Sequence, residues 1–159
     1  MIIKGGSRAS PKQLALLLLE AAPGESSQVL ELQYGDDDLL KAFIDWQSIS
    51  EGTLGKLGLY HAHINPDSRY AMTPQQWKRA ADVLEEKLGL QGQWRALVLR
   101  STEGRQRLHV VWSRTDIDTM MLRSDSFNYR AHEQASAQLA LEFGHEIVPG
   151  KTWRGAKKK

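Results

Sequence analysis

The sequence predicts an α+β fold: a largely antiparallel sheet of about five strands with helices packed on it. Three observations carry that prediction. Hydrophobic periodicity runs strand, helix, strand, helix, strand, helix, then two consecutive strand-like runs and a last helix. The two consecutive runs, Trp94 to Arg100 and Arg107 to Arg114, flank a glycine-containing segment and are expected to pair antiparallel. No Gly/Ser-rich linker or internal repeat divides the 159 residues, so the elements share one core.

Each element has its own signal. Ile2 and Ile3 before Gly5-Gly6 read as a short first strand ending in a turn. Ser10-Pro11-Lys12-Gln13 supplies an N-cap, a proline at the first helical position and a glutamine three residues after the cap; Pro23-Gly24 ends this helix, which is expected over Ser10 to Ala22. Val29, Leu30 and Leu32 with Tyr34 form a second strand, and Asp36, Asp37 and Asp38 open a helix to about Ile49, where negative charge complements the macrodipole. Leu57 to Ile64 is a third strand closed by Asn65-Pro66-Asp67. Thr73-Pro74-Gln75-Gln76 repeats the cap pattern, with Trp77, Ala80, Ala81, Leu84 and Leu88 on one helical face before Gly89. Ser101 to Gln106 has the length of a somewhat long hairpin connection. Asn128 is placed to cap a last helix, on which Ala135, Leu139 and Phe143 recur four apart before Gly144. Residues 1–150 are expected to form one domain and residues 151–159 a basic C-terminal tail.

With 41% hydrophobic and 25% charged residues the chain has the composition of a soluble domain. It has no cysteine, which excludes thiolate zinc sites, thiol nucleophiles and disulfides and suits a reducing cytoplasm. The longest apolar run, Leu14 to Leu19, is about a third of a bilayer span, and no export-like stretch opens the chain. A cytoplasmic location without a membrane partner is the expectation. The net charge of +2 conceals an asymmetry: the last nine residues, including Lys157, Lys158 and Lys159, hold five cations and no acid. The remainder is mildly acidic, so affinity for a polyanion must come from local clusters. One such cluster runs from Trp94 to Thr115, where Arg95, Arg100, Arg105, Arg107 and Arg114 face a single acid, Glu103.

Alternation across a strand places Arg107, His109, Val111 and Ser113 on one side and Leu108, Val110, Trp112 and Arg114 on the other. In simple register Arg100 joins Arg107 and His109 near the turn. A solvated sheet face is one reading of these residues. Phosphate recognition is the other, because a guanidinium presents a rigid fork of donors to phosphate oxygens. His61 and His63, two residues apart, share a face and with His109 make an alternative metal set.

The segment Gly104-Arg105-Gln106-Arg107-Leu108-His109-Val110-Val111-Trp112-Ser113-Arg114 resembles the metal-binding motif of the conjugative relaxases, plasmid-mobilisation nucleases of the His-hydrophobic-His fold that nick one DNA strand at a transfer origin. Lys4-Gly5-Gly6-Ser7-Arg8, Leu59-Tyr60-His61-Ala62 with Ile64-Asn65-Pro66, Thr73 to Trp77, Asn128-Tyr129 with His132-Glu133, and Phe143-Gly144-His145 are similar to family segments in the same order. The resemblance implies a sheet on which three histidines hold a divalent metal such as Mg or Mn. It also implies a tyrosine or histidine nucleophile on the helix after the first strand.

The chain departs at each of those positions. Aligned on His109, the other two ligand positions are Arg107 and Arg100, and the first helix reads Leu14-Ala15-Leu16-Leu17-Leu18-Leu19 with neither tyrosine nor histidine. A guanidinium has no lone pair to donate and repels a cation, yet it attracts phosphate. The expectation is therefore a relaxase-like DNA-binding protein of conjugative transfer or mobilisation without a competent nicking site, His109 being a catalytic remnant, and with neither metal nor cofactor. Its DNA contacts are expected at Arg100, Arg105, Arg107, His109, Arg114, His61, Tyr129, Lys157, Lys158 and Lys159. Its expected partners are transfer-origin DNA and other conjugation proteins. Two alternatives stand beside it: an active metal-dependent nicking enzyme with a non-standard site drawing on Tyr34, Tyr60, Tyr70 or Tyr129, and a protein-interaction module that kept the fold.

Overall fold

The computed structural model describes residues 1–34 and 38–147. Its strands are β1 (Ile2–Arg8), β2 (Glu25–Leu32), β3 (Leu59–Asn65), β4 (Arg95–Thr102), β5 (Arg105–Ser113), β6 (Thr115–Asp116) and β7 (Met121–Leu122). Its helices are α1 (Pro11–Leu19), α2 (Leu39–Ser50), α3 (Pro74–Leu88) and α4 (Asn128–Phe143). The first five strands form one sheet in the order β1-β3-β5-β4-β2, every neighbouring pair antiparallel, and β6 and β7 form a separate ribbon. The expected α+β architecture and five-stranded sheet are present. The β4–β5 hairpin lies inside the sheet, with β5 at its centre.

Helices cover both faces. On one, Trp77, Ala80, Ala81, Val83 and Leu84 of α3 and Ala135 and Leu139 of α4 pack on Tyr60, Ala62, Ile64, Leu97, Leu108, Val110 and Trp112. On the other, Leu14, Ala15 and Leu18 of α1 and Leu39, Ala42, Phe43 and Trp46 of α2 pack on Leu59, Ala96, Val98 and Val111. The strict alternation of β3, β4 and β5 between the two clusters fixes which side chains share a face. Arg95 locks one side. Buried to 5% exposure, it bonds Glu31 of β2 at 2.6 Å, and Asp82 and Glu85 of α3 at 2.7 and 3.3 Å.

Local chemistry accounts for the boundaries. Thr73 accepts from the Gln76 backbone while the Gln76 side chain accepts from the Thr73 backbone, the full capping box, and Gly89 closes α3 in the left-handed region. Asp38 accepts from the Lys41 backbone at the start of α2; Asp36 and Asp37 lie outside the described residues. The hairpin loop is shorter than expected, because Glu103 (φ 49°) and Gly104 (φ 77°) both turn left-handed and close a two-residue connection. Ser101, Thr102, Arg105 and Gln106 are thus strand residues. α1 stops at Leu19 rather than Ala22, and β2 begins at Glu25, earlier than expected. Asn128 is not the cap of α4: Phe127, at φ 60°, holds that position, and the Asn128 carboxamide donates to the Tyr60 hydroxyl at 3.1 Å. Among the described residues no helix is long and apolar enough to cross a membrane.

Candidate nucleic-acid interface

Register converts the alternation into a grid on the face that α1 and α2 share. Gly6 of β1 stands beside His61 of β3, and His61 beside Val111 of β5. One step along, Lys4 stands beside His63, His63 beside His109, and His109 beside Val98 of β4. One step further, Arg107 stands beside Arg100, and Arg100 beside Ser27 of β2. The expected convergence of Arg100, Arg107 and His109 is therefore present, and β3 adds His61 and His63.

The three imidazoles form one cluster. His61 and His109 stack with centroids 5.1 Å apart, His63 lies 5.7 Å from His109, and His61 Nε2 and His109 Nδ1 share a hydrogen bond of 2.8 Å. Burial is the main reason that the His61 pKa is pulled down to about 4 and that of His109 to about 3. The neighbouring imidazoles add to both, Arg8 adds to His61, and Arg100 and Arg107 add to His109. His63 is lowered as well, by burial first and then by Arg107, Lys4 and Arg8. Each of these shifts favours the neutral ring.

Neutral imidazoles are the form a metal needs, so what matters is where their lone pairs point. The Asn65 carboxamide and His63 Nδ1 share a hydrogen bond of 2.7 Å. The His61–His109 bond uses the lone pair of whichever ring accepts. Among the described residues no three His, Asp or Glu side chains are arranged to hold a metal ion. The alternative set of His61, His63 and His109 is brought together as a hydrogen-bonded cluster.

The arginines of the hairpin divide by their partners. Arg114 is 7% exposed; it donates to the Leu57 carbonyl at 2.9 Å and to the Arg123 carbonyl, so the expected DNA contact there is replaced by a tie between strand ends. Arg100 shares the imidazole face, but its guanidinium donates to the carbonyls of Leu17 and Glu20, the latter at 2.8 Å, where α1 ends without a basic residue of its own. It caps the negative end of a helix dipole. Arg105 and Arg107 are exposed and form no ion pair among the described residues. With Lys4, His63 and Asn65 they help line a cleft of about 630 Å³ at the end of the sheet.

Other expected residues fall elsewhere. Tyr129 is 64% exposed on α4, on the helical layer of the opposite face, edge-on to His132. Tyr60 is buried on that opposite face, its hydroxyl 2.8 Å from His132 Nε2, and burial pushes its pKa up to about 12. Tyr34 donates to Asp45, and Tyr70 accepts from the Glu146 backbone. Leu16, Leu17 and Leu19 of α1 are exposed, with Leu14, Ala15 and Leu18 buried. Trp112 lies opposite His109 beneath α3, as expected, its indole donating to Glu85 at 2.9 Å. Lys157, Lys158 and Lys159 lie outside the described residues.

Sequence reasoning missed Lys4 and Arg8 as members of this face. The signal was available in the two-residue alternation of Ile2–Arg8, which puts Lys4, Gly6 and Arg8 on one side.

The MobA/VirD2-like relaxase nuclease domain matches residues 23–145, a span that includes β2 to β7 and all of α2, α3 and α4. No curated protein matches the chain. The matched span is well over half of the sequence and holds the hairpin, the imidazole cluster, Arg100 and Arg107. This chain belongs to the MobA/VirD2-like relaxase family.

Proposed function

We propose that this protein binds DNA in conjugative transfer or plasmid mobilisation and does not itself nick it, serving as an accessory at the transfer origin or in the transfer complex. One observation carries the reading: Arg100 and Arg107, which the resemblance aligns with two family ligand positions, are cross-strand neighbours on the face that holds the imidazole cluster. Charge attraction for phosphate survives that exchange, whereas Lewis acidity does not. Lys4, Arg8, Arg105 and Arg107, none in an ion pair among the described residues, grip the phosphates, and transfer-origin DNA in the cytoplasm is the partner.

The test pairs a supercoiled-plasmid nicking assay with a DNA-binding titration, each run with magnesium, manganese and chelator. Binding is expected in all three, weakening steeply with salt as condensed counterions are released, and no nicked product is expected in any. Metal-dependent nicking abolished by His109→Ala would replace this reading with the non-standard enzyme. Absence of any DNA affinity would favour a module that binds protein.

A further inference from the structure

Glycine inside a strand loses more backbone entropy than any other residue and has no side chain to pack, so its presence there marks a kink or a close approach by another group. β1 carries two in succession, Gly5 and Gly6, and neither has a left-handed backbone. Gly5 is explained within the fold: a Cβ there would lie 2.6 Å from the His61 carbonyl oxygen and 2.8 Å from Ala62. Gly6 is not, since a Cβ there would meet nothing within 4 Å.

Gly6 points the other way, onto the imidazole face, level with His61 and between Lys4 and Arg8. Lys4 and Arg8 are exposed, sit four residues apart on one side of an edge strand, and have no ion-pair partner among the described residues. That spacing leaves about 13 Å of strand between the two cations with no side chain on this face. Neutral His61 and His63 form the adjoining floor, with Arg107 beyond them on β5.

We propose that the DNA backbone crosses the sheet edge at Gly6, lying against the bare strand while Lys4 and Arg8 hold the phosphates on either side. The missing side chain is a steric requirement of the ligand, since the fold has none for it. This inference rests on the DNA-binding reading of the same face and adds the path that the strand takes.

The test is a graded series in the full chain, Gly6→Ala, Gly6→Val and Gly6→Phe, read by thermal unfolding and by anisotropy of a labelled transfer-origin oligonucleotide. Gln28→Phe on the opposite edge strand is the control for added bulk. The series is expected to unfold at or above the wild-type temperature, because the added side chain meets open space. Affinity is expected to fall in the order Ala, Val, Phe, by about tenfold or more at Phe, the loss of roughly one charge-assisted contact. Gln28→Phe should bind as the wild type does. A folded Gly6→Phe protein with wild-type affinity overturns the proposal; if Lys4→Ala/Arg8→Ala still weakens binding, the DNA-binding reading stands without it. If the wild type itself binds no DNA, both fall together.

Discussion

Arg100 and Arg107 are cross-strand neighbours that the resemblance aligns with family ligands, yet they should fail in different assays. Arg100 is largely buried, 13% exposed, and donates to the Leu17 and Glu20 carbonyls at the end of α1. Arg100→Ala removes two charge-assisted bonds and the favourable end-dipole interaction. Each such bond contributes about 1.5 to 3 kcal/mol, but the last turn of α1 can recover part of that from water, so a net loss of about 2 to 3 kcal/mol is expected. For a chain of this size that corresponds to a midpoint lower by about 4 to 12 °C. Arg107→Ala removes an exposed side chain with no ion pair among the described residues, so stability should change by less than about 0.5 kcal/mol. DNA affinity should instead fall by about 1 to 3 kcal/mol. Urea unfolding and DNA titration at one fixed salt concentration check both variants. If Arg100→Ala leaves stability intact and weakens DNA binding as much as Arg107→Ala, the helix-capping role is wrong and Arg100 is a phosphate ligand.

Two further outcomes follow from buried groups. The His61 and His109 pKa values lie at about 4 and about 3 in the folded chain, below the ordinary value of 6.5, so beneath that pH the unfolded chain takes up protons that the folded chain refuses. Stability should fall as the pH drops from about 6.5 toward 4, by on the order of 3 kcal/mol for His61 alone, and a His109 ring resonance titrating near its ordinary pKa would refute the assignment. Arg95→Ala strips Glu31 and Glu85 of their buried partner and should cost about 3 to 5 kcal/mol in urea unfolding, with DNA affinity per folded molecule unchanged because Arg95 lies on the face away from the imidazoles. A loss below about 1 kcal/mol would mean that α3 does not depend on this ion-pair network.

α3 was legible in full, because everything that defines it is local: Thr73 and Gln76 at one end, Gly89 at the other, and an apolar stripe between. The hairpin was legible in its pairing and misread in its loop, since Arg105 and Gln106 are polar, exposed strand residues that look like a connection. The shared face of Arg100, Arg107 and His109 followed from alternation alone. The arrival of His61 and His63 beside His109 did not, because it depends on β3 choosing β5 as its neighbour across a separation that no local signal spans. Arg95 and Arg114 could not be told from Arg107 for a related reason. All three sit in one arginine-rich hairpin, and only the folded partners, Glu31 and Glu85 for one and the Leu57 and Arg123 carbonyls for another, remove them from solvent.

The exchange of imidazole for guanidinium also changes how this face responds to protons. A metal held by histidines is released as its ligands protonate, so a metal-dependent grip on phosphate weakens in mild acid. Here burial first, and then the charges of Lys4, Arg8 and Arg107, lower the pKa values of the nearby imidazoles. On the proposed reading, the cations that attract phosphate also oppose protonation of the cluster. The attraction for DNA is, on the same reading, expected to be set by salt rather than by pH or metal supply.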